Sequence, residues 1–411
     1  MGKRRDKTLI KEIQMLDKEL ISGFKIEPRD YQLRITKTAL DMFQGRFVGR
    51  NGLINPAFKS VMIESPTGSG KTVIGFMTAR LMQQQIEEAT KTPVAVGWIA
   101  MRRTLLSQAN RENISKGFDI PNIHFISMFD KRPEQLLRLK EAGHKVMFIV
   151  DECHHDAASS MVHLHNLCRP DFVLGLSATP YRTDKTNLCF EKVIKDCGIH
   201  QLIAAGYLSP YDHYSIDSWS PDTVVERFAA EPERWGKSVM FFKNLEECFL
   251  TKTLLDAQGF KSEVVTGESD AEKQIDDFQR GNVRILINCM KLTEGFDCPD
   301  IQTVWVRDSG KGTTTQMAGR VFRIHPDLPR KQVVQSKLTR WPCLKTAMSK
   351  VQYSWQNGEW LSLTINPKID LMAQNARMAI ASTTVSLPNL LLKRLQSRNR
   401  MRNNQTRPRT I

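Results

Sequence analysis

The sequence predicts an α/β protein of two tandem lobes, each built on a parallel sheet that helices cover. Short apolar runs alternate with helical segments from Arg29 to about Pro210, and after a polar stretch the alternation resumes at Ser238. Strands and helices in repeated alternation are typical of a parallel sheet covered on both faces. A chain of 411 residues is also too long for one ordinary core and suits two domains with extensions.

The apolar runs predict four strands in each lobe. In the first lobe they are residues 59–64, 94–99, 145–150 and 172–176. In the second lobe they are residues 238–242, 263–265, 284–287 and 303–306. A helix over residues 8–22 is predicted to precede the first lobe, because apolar residues recur at helical spacing at Leu9, Ile13, Leu16 and Leu20.

These elements divide the chain into four predicted parts. They are an N-terminal helical arm over 1–28, the first lobe over 29–212, the second lobe over 213–335, and a C-terminal extension with a basic tail over 336–411. We expect the extension to pack against the second lobe, because it contains Trp341, Trp355 and Trp360.

The composition indicates a folded protein that does not enter a membrane. Charged residues make up 25% and hydrophobic ones 41% of the chain. No apolar run is long enough to cross a bilayer, and no apolar segment follows the charged N-terminal residues as in a secretory signal. The eight cysteines include no C-x-x-C pair, which argues against a disulfide framework or a zinc ribbon. We expect an intracellular, soluble protein, either cytoplasmic or nucleoid-associated.

The formal net charge of +15 indicates a polyanionic partner. Much of this charge follows Leu392, where seven basic residues occur without an acidic one: Lys393, Arg394, Arg398, Arg400, Arg402, Arg407 and Arg409. Such a tail attracts phosphate by counterion release and confers no sequence preference. The alternative is a solvated end that only aids solubility.

A phosphate-binding loop is predicted between the first strand and the next helix. The segment reads S-P-T-G-S-G-K-T, and the residues expected to cradle the nucleotide are Pro66, Thr67, Gly68, Ser69 and Gly70. Its glycines let backbone N–H groups point inward, and the helix N-terminus adds positive potential. Lys71 is expected to reach the β- and γ-phosphates, and the Thr72 hydroxyl to hold Mg²⁺.

Two carboxylates follow the apolar strand that ends at Val150. They lie at the carboxyl edge of the predicted sheet, where ligands of such folds bind. Asp151 can hold Mg²⁺ through water. Glu152 can polarise the water that attacks the γ-phosphate, and His154 is expected to hydrogen-bond towards the next motif.

The same region permits a metal interpretation. Six residues with metal-binding side chains lie close together: Cys153, His154, His155, His163, His165 and Cys168. Their spacing fits no common zinc signature, and the carboxylate pair after an apolar strand accounts for the first half without metal. We therefore favour ordinary helix-face positions for His163 and His165.

Together these segments resemble the superfamily 2 helicases of the D-E-x-H type, whose further motifs follow in order. The resemblance covers about residues 29–325. It implies two RecA-like lobes, ATP and Mg²⁺ as cofactors, and a nucleic-acid partner. The helicase version of the phosphate loop permits Ser65 where the general pattern has glycine.

Within this resemblance, several residues are assigned to the nucleotide and to coupling. The segment R-D-Y-Q at 29–32 looks like the adenine-reading segment, with Gln32 at the base edge and Tyr31 or Arg29 beside the ring. The segment L-T-E-G-F-D at 292–297 looks like the fifth motif, in which Gly295 and Asp297 would lie on the nucleotide side. The motif S-A-T-P assigns Ser177 and Thr179, with His154, to coupling of hydrolysis and movement.

Other residues are assigned to the nucleic acid. Residues 100–108 are similar to the family's first nucleic-acid motif, in which Arg103 contacts phosphate and Thr104 is the adjoining polar position. Thr293 of the fifth motif would meet a phosphate. Thr266 and Gly267 are expected to help grip the strand.

The sixth motif, Q-x-x-G-R-x-x-R, contains Gln316, Arg320 and Arg323. Their spacing of four and three residues predicts that they share one helical face. Two guanidiniums from a separate lobe can act as arginine fingers, each worth about 10³–10⁵ in rate, while Gln316 and Glu152 orient water. Hydrolysis would then require closure of the lobes. The alternative is an exposed basic face.

The form of the motifs favours DNA over RNA as the partner. The D-E-C-H box and the sixth motif look more like those of DNA-translocating members, including branch-migration, repair and restriction motors. An ATP-dependent RNA helicase is the alternative, and so is an ATP-gated clamp or remodeller without processive unwinding. A nucleotide-binding regulator of another protein is disfavoured by the nucleic-acid motifs and the basic charge.

Overall fold

The computed structural model describes residues 23–49, 51–155, 159–178, 190–290, 292, 298–328 and 330–363. The predicted helix over 8–22 and the basic tail lie outside these residues, as do Thr179, Thr293, Gly295 and Asp297. Both sheets belong to one compact unit that ends at Ser362.

The first lobe is built on a six-stranded sheet in which every described pairing is parallel. Its strands are β1 (Ser60–Glu64), β2 (Val94–Ala100), β3 (Ile123–Ser127), β4 (Lys145–Asp151), β5 (Phe172–Ser177) and β6 (Lys192–Ile194). Their spatial order is β3-β2-β4-β5-β1-β6. The ends of β1 and β4, which lead into the phosphate loop and the carboxylate pair, are thus separated by β5 alone.

Helices connect these strands. They are α1 (Asp30–Phe43), α2 (Lys71–Thr90), α3 (Arg103–Ser115), α4 (Glu134–Glu141), α5 (Ser159–Cys168) and α6 (Ile199–Ala204). The central strands are apolar because helices cover both faces: all of β2 and the five middle residues of β4 are buried. Across this layer Trp98 packs on Phe76 of α2 with ring centroids 4.3 Å apart.

The second lobe is built on an eight-stranded sheet. Its strands are β7 (Tyr211–Ile216), β8 (Ser238–Phe241), β9 (Ser262–Val265), β10 (Ile285–Asn288), β11 (Thr303–Val306), β12 (Lys331–Ser336), β13 (Gln352–Gln356) and β14 (Glu359–Ser362). Their order is β14-β13-β7-β12-β11-β8-β10-β9, and only the β13–β14 pair is antiparallel. The helices are α7 (Pro221–Ala230), α8 (Pro232–Trp235), α9 (Leu245–Ala257), α10 (Ala271–Gln279) and α11 (Lys311–Ala318).

The second sheet extends across both predicted borders of the second lobe. Strand β7 begins before residue 213, and the β13–β14 hairpin joins the sheet well after residue 335. The hairpin packs inward through its aromatic residues: Tyr353 stacks on Tyr214 at 4.6 Å, and Trp360 lies 5.5 Å from Trp235. The second sheet thus includes residues on both sides of 213 and of 335, and the domain borders at these positions stay a prediction.

Two tandem α/β lobes with largely parallel sheets, as predicted, are confirmed. Within the described ranges, no helix is both long enough and apolar enough to cross a membrane.

Candidate active site

A cavity of about 340 Å³ lies between the two lobes, at the carboxyl edge of the first sheet. Residues predicted to hold a nucleotide form much of its first-lobe wall: Arg29, Pro66, Thr67, Gly68, Gly70, Lys71, Thr72, Asp151 and Glu152. Its second-lobe wall consists of Pro299, Arg320, Arg323 and Ile324. One space thus brings together residues that are up to 295 positions apart, from Arg29 to Ile324.

The phosphate loop owes its shape to two glycines. Gly68 and Gly70 have φ of 81° and 77°, in the left-handed region that side chains rarely adopt. A Cβ on Gly70 would lie 2.6 Å from Nε2 of Gln32, so a side chain at this position would also displace the Gln32 amide. Helix α2 begins directly afterwards at Lys71, which directs the helix N-terminus towards the cavity.

Two buried serines hold the loop from inside. The Ser65 hydroxyl donates to Oγ of Ser69 (2.7 Å), and the Ser69 hydroxyl donates to the Pro66 carbonyl (2.6 Å). The Ser65 backbone N–H donates to the Ser177 carbonyl on β5 (3.0 Å). Serine in place of the first glycine therefore supplies an internal hydrogen bond. Ser69 itself supports the loop and does not line the cavity.

The residues predicted to read adenine lie beside this loop. The Tyr31 hydroxyl and Nε2 of Gln32 (3.0 Å) both donate to the Ser69 carbonyl, and Oε1 of Gln32 accepts from the Arg29 backbone N–H (2.9 Å). The Arg29 guanidinium lies 5.1 Å from the ring centre of Tyr207, and both side chains face the cavity. Tyr31 and Gln32 brace the loop from behind, and their contact with a base stays a prediction.

The carboxylate pair is linked to the phosphate loop and to β5. Nζ of Lys71 lies 3.6 Å from Oε1 of Glu152, whose Oε2 is 3.5 Å from Nδ1 of His154. The same His154 nitrogen is 3.2 Å from the Ser177 hydroxyl. This chain of contacts runs from the predicted catalytic residues to the first residue of the predicted coupling motif.

The backbone at Glu152 is in an uncommon conformation. Its φ is 49°, which a non-glycine residue adopts at a cost of about 1–2 kcal/mol. Strained backbone of this kind clusters at functional sites. Here it turns the chain sharply after β4, so that Glu152 faces Lys71 rather than continuing along the strand.

These residues fit a nucleotide with Mg²⁺. Burial, together with the negative charge of Glu152, raises the pKa of Asp151 to about 7, a shift that a cation beside it would oppose. Oε2 of Glu152 is buried and accepts no hydrogen bond from the described residues, so it is available to a water molecule. Lys71, Thr72 and the backbone N–H groups of the phosphate loop supply donors for phosphate in the same cavity.

The second lobe touches the phosphate loop through the sixth motif. A Cβ on Gly319 would lie 3.1 Å from Cβ of Thr67, and one on Gly68 would lie 3.6 Å from Cγ of Arg323. Arg320 is 6% exposed. Burial lowers the pKa of Arg323 to about 10, against the opposing charge of Glu112. Both guanidinium groups thus belong to the same cavity as Lys71.

The prediction that Gln316, Arg320 and Arg323 share one helical face is wrong. Helix α11 ends at Ala318, and the N–H groups of Arg320 and Val321 bond three residues back rather than four. Glycine at position 319 is a poor helix former and allows this turn to approach the loop. As a result the two arginines line the cavity, whereas Gln316, still on the helix, does not.

Of the residues predicted to grip nucleic acid, the four that the structure describes do not line the cavity. Arg103 and Thr104 are exposed in the first turn of α3. Thr266 and Gly267 follow β9, where Oγ1 of Thr266 accepts hydrogen bonds from the backbone N–H groups of Glu268 and Ser269. Their contact with nucleic acid stays a prediction.

Some cavity residues were not predicted. Helix α3 contributes Leu105, Gln108 and Glu112, and Lys116 follows directly after its last residue. Glu112 is bonded to Gln108 (3.1 Å) and to Lys116 (2.7 Å). The four-residue spacing from Gln108 to Lys116 indicates one face of a helix, but sequence alone does not say what that face meets. Tyr207, beside the predicted break between the lobes, was also missed.

The histidines of the metal interpretation have other neighbours. Nε2 of His163 lies 2.8 Å from the Lys131 carbonyl, and His165 packs edge-on against Phe148 at 5.4 Å. Within the part of the chain that the structure describes, no group of three or more His, Cys, Asp or Glu side chains is arranged to hold a metal ion.

The two sheets, the phosphate loop and the paired arginines define the class of P-loop ATPases with a nucleotide site between two RecA-like lobes. Comparison with known proteins specifies the family. The family model "Type III restriction enzyme, res subunit" matches residues 25–182, and "Helicase conserved C-terminal domain" matches residues 221–325, together more than half of the chain. The chain belongs to the superfamily 2 helicases and ATPases, which are ATP-hydrolysing enzymes, and is related to their restriction-type members.

Individual relatives are distant. The chain is 25% identical over 253 residues to a protein of Schizosaccharomyces pombe named as a candidate mitochondrial ATP-dependent helicase, irc3, covering 50% of this chain and 40% of that protein. It is 22% identical over 271 residues to a 51.5 kDa protein of a Lactococcus phage, covering 58% and 57%. The chain thus spans about half the length of these relatives.

Solved structures show the same fold. The ATP-dependent Type ISP restriction-modification enzyme LlaBIII bound to DNA is similar with a TM-score of 0.52 and 15% identity. The match covers 85% of this chain and 29% of that one.

Proposed function

We propose that the chain is a nucleic-acid-dependent ATPase that moves along or remodels DNA by opening and closing its two lobes. The observation that carries this proposal is the contact of the second lobe with the phosphate loop, through Gly319 against Thr67 and Arg323 against Gly68. Residues on both sides of a hinge can complete one site only when the lobes are close, so turnover becomes tied to domain motion.

In this proposal the first lobe binds the nucleotide and prepares the attacking water. Lys71 and the loop N–H groups hold the phosphates, and Glu152 takes a proton from water. Mg²⁺, held by Thr72 and through water by Asp151, would offset phosphate charge. The second lobe then stabilises the charge that develops in the transition state through Arg320 and Arg323.

Nucleic acid is proposed to lie across both lobes, gripped mainly through its phosphates. Arg103 and Thr104 in the first turn of α3 and Thr266 and Gly267 after β9 are the proposed contacts, with Thr293 of the fifth motif. Helix α3 joins the two sites, because it begins at Arg103 and lines the cavity with Gln108 and Glu112. A ligand at its first turn can therefore influence the nucleotide site.

DNA is preferred to RNA as the partner. The form of the D-E-C-H box and of the sixth motif supports this preference, and so does the match to a restriction-enzyme family model. An RNA-dependent enzyme and an ATP-gated clamp that does not move remain the competing proposals, and each gives a different result in the same assay.

The test compares ATP hydrolysis with single-stranded DNA, duplex DNA, forked DNA and RNA, alongside a strand-displacement and a translocation assay. We expect DNA to stimulate hydrolysis most, and Lys71→Ala to abolish turnover. Lys59→Ala is the matched control, since Lys59 is exposed and precedes β1 at the opposite edge of the sheet. Stimulation by RNA alone would reverse the choice of partner. Stimulation without displacement or movement would favour the clamp, and equal turnover with and without any nucleic acid would refute the proposal.

A further inference from the structure

A tryptophan with two lysines over its ring lies in the segment after β12, for which the sequence offers no function. Nζ of Lys311 is 5.6 Å and Nζ of Lys345 is 5.3 Å from the ring centre of Trp341. Both lysines are exposed and the indole is partly exposed. We call Lys311, Trp341 and Lys345 the Trp341 cluster.

The cluster lies at the carboxyl edge of the second sheet. Lys311 follows β11 and begins α11, whose far end leads to Gly319 beside the phosphate loop. Trp341 follows β12, the neighbour of β11. Thr266, a proposed nucleic-acid contact, follows β9 at the same carboxyl edge. A strand that follows this edge would meet both Thr266 and the Trp341 cluster.

The acidic residues that follow the strands on either side of β12 do not neutralise these lysines. Asp308 is paired with Arg340 (2.8 Å), whose backbone N–H it also accepts (2.7 Å). Asp217 is paired with Lys337. Among the described residues, no carboxylate lies within 4.0 Å of Nζ of Lys311 or Lys345. Two ammonium groups therefore converge on one ring, and an anion placed there would relieve their repulsion.

The indole is held in place by its polar edge. Its Nε1 donates to the Thr346 hydroxyl (3.1 Å), which lies 3.4 Å from the Thr315 hydroxyl of α11. Nε2 of Gln335 donates to the Trp341 carbonyl (3.4 Å). The ring is thus a fixed surface, while the lysines are flexible and can exchange a weak contact with the ring for a phosphate.

We infer that the Trp341 cluster is a further nucleic-acid contact site, in which Lys311 and Lys345 bind backbone phosphates and the Trp341 ring stacks on a base or sugar. Phosphate-binding cations with an interleaved aromatic ring are the chemistry of single-strand binding without sequence preference. This inference rests on the proposed function and adds contacts outside the predicted motifs.

The test measures binding of the full chain to oligo(dT) and oligo(U) of equal length over a range of salt concentrations. The double variant Lys311→Gln/Lys345→Gln should bind about tenfold more weakly at low salt, and its salt slope should fall by about 0.7 for each lysine. The matched control is Lys59→Gln/Lys261→Gln, which removes two exposed lysines from the amino edges of the two sheets. Loss on one oligomer only would show which of the two nucleic acids the Trp341 cluster contacts.

A second measurement tests the ring. Nucleic acid should quench part of the tryptophan fluorescence in the unmodified chain, and Trp341→Phe should remove that part while thermal stability is retained. If the unmodified chain binds no nucleic acid, the proposed function fails. If it binds and the lysine variant matches the control in affinity and salt slope, the Trp341 cluster is not a contact site and the proposed function stands.

Discussion

The half of the cavity that the first lobe supplies is built around a loop that hydrogen bonds within that lobe hold, whereas the second-lobe half is a turn that meets this loop across the cleft. Ser65, Ser69 and Gln32 fix the phosphate loop through bonds to neighbouring backbone. Arg320 and Arg323 instead follow the end of a helix and are placed by Gly319 against Thr67. The difference implies that nucleotide binding and turnover are separable, because the first needs one lobe and the second needs both.

Among the variants that should leave nucleotide binding intact, the largest effect is expected on removal of a guanidinium from the second lobe. Arg323→Ala should lower kcat by about 10³–10⁵ and change ATP affinity far less, because the residue acts in the transition state. Steady-state hydrolysis and binding of a fluorescent nucleotide measure the two separately. Arg280→Ala, which removes an arginine with a 69% exposed side chain from the same lobe, should change neither. If Arg323→Ala lost ATP affinity and kcat to the same extent, nucleotide binding and turnover would not be divided between the first-lobe and second-lobe halves of the cavity.

A smaller loss is expected on the first-lobe side. Glu152→Gln should lower kcat by about 10²–10⁴, the range for a general base, and leave nucleotide binding intact. Rapid-mix single-turnover hydrolysis isolates this step. Glu112→Gln makes the same chemical change on α3 in the same cavity and should have only a few-fold effect. Comparable losses in the two variants would mean that charge in the cavity, rather than proton transfer by Glu152, limits the rate.

The smallest effect is a change in the free energy of unfolding with pH, and it arises from a histidine of the second lobe. Burial lowers the pKa of His213, on β7, to about 4, while its unfolded value is about 6.5. Between these values the unfolded chain binds the proton more tightly, so stability is complete above about pH 6.5 and is lost as pH falls towards 4. The loss at pH 5 should be about 2 kcal/mol.

Urea unfolding followed by tryptophan fluorescence would measure this loss, since all of the seven tryptophans except Trp98 lie between Trp219 and Trp360. His213→Gln should flatten the dependence on pH. His200→Gln, at an exposed position of the first lobe, should leave it unchanged. The same slope in all three proteins would show that another group is responsible.

The first-lobe half of the site could be predicted because its parts are local. The phosphate loop is contiguous, and the carboxylate pair follows an apolar strand whose end must lie at the ligand-binding edge. The structure adds that Tyr31 and Gln32 support the loop through the Ser69 carbonyl, a detail that depends on how α1 approaches the loop.

In the second-lobe half, the two arginines were predicted, but their geometry was not, and neither were Pro299 and Ile324. Spacing alone suggested a helix through Arg323, because the pattern does not reveal that Gly319 must turn to meet Thr67. The cavity face of α3 was missed for a related reason: Gln108 and Glu112 show helical spacing, but what they face depends on the approach of the two lobes. The hairpin that completes the second sheet was likewise hidden, since its strands are short and follow an irregular segment.

The left-handed backbone at Glu152 lowers the stability of the fold but places a carboxylate that the proposed activity needs. Glycine would adopt this conformation with less strain, so a chain optimised for stability alone would carry glycine there and lose its carboxylate. Attempts to make this protein more heat-resistant should therefore leave position 152 untouched and look for gains on surfaces remote from the cleft.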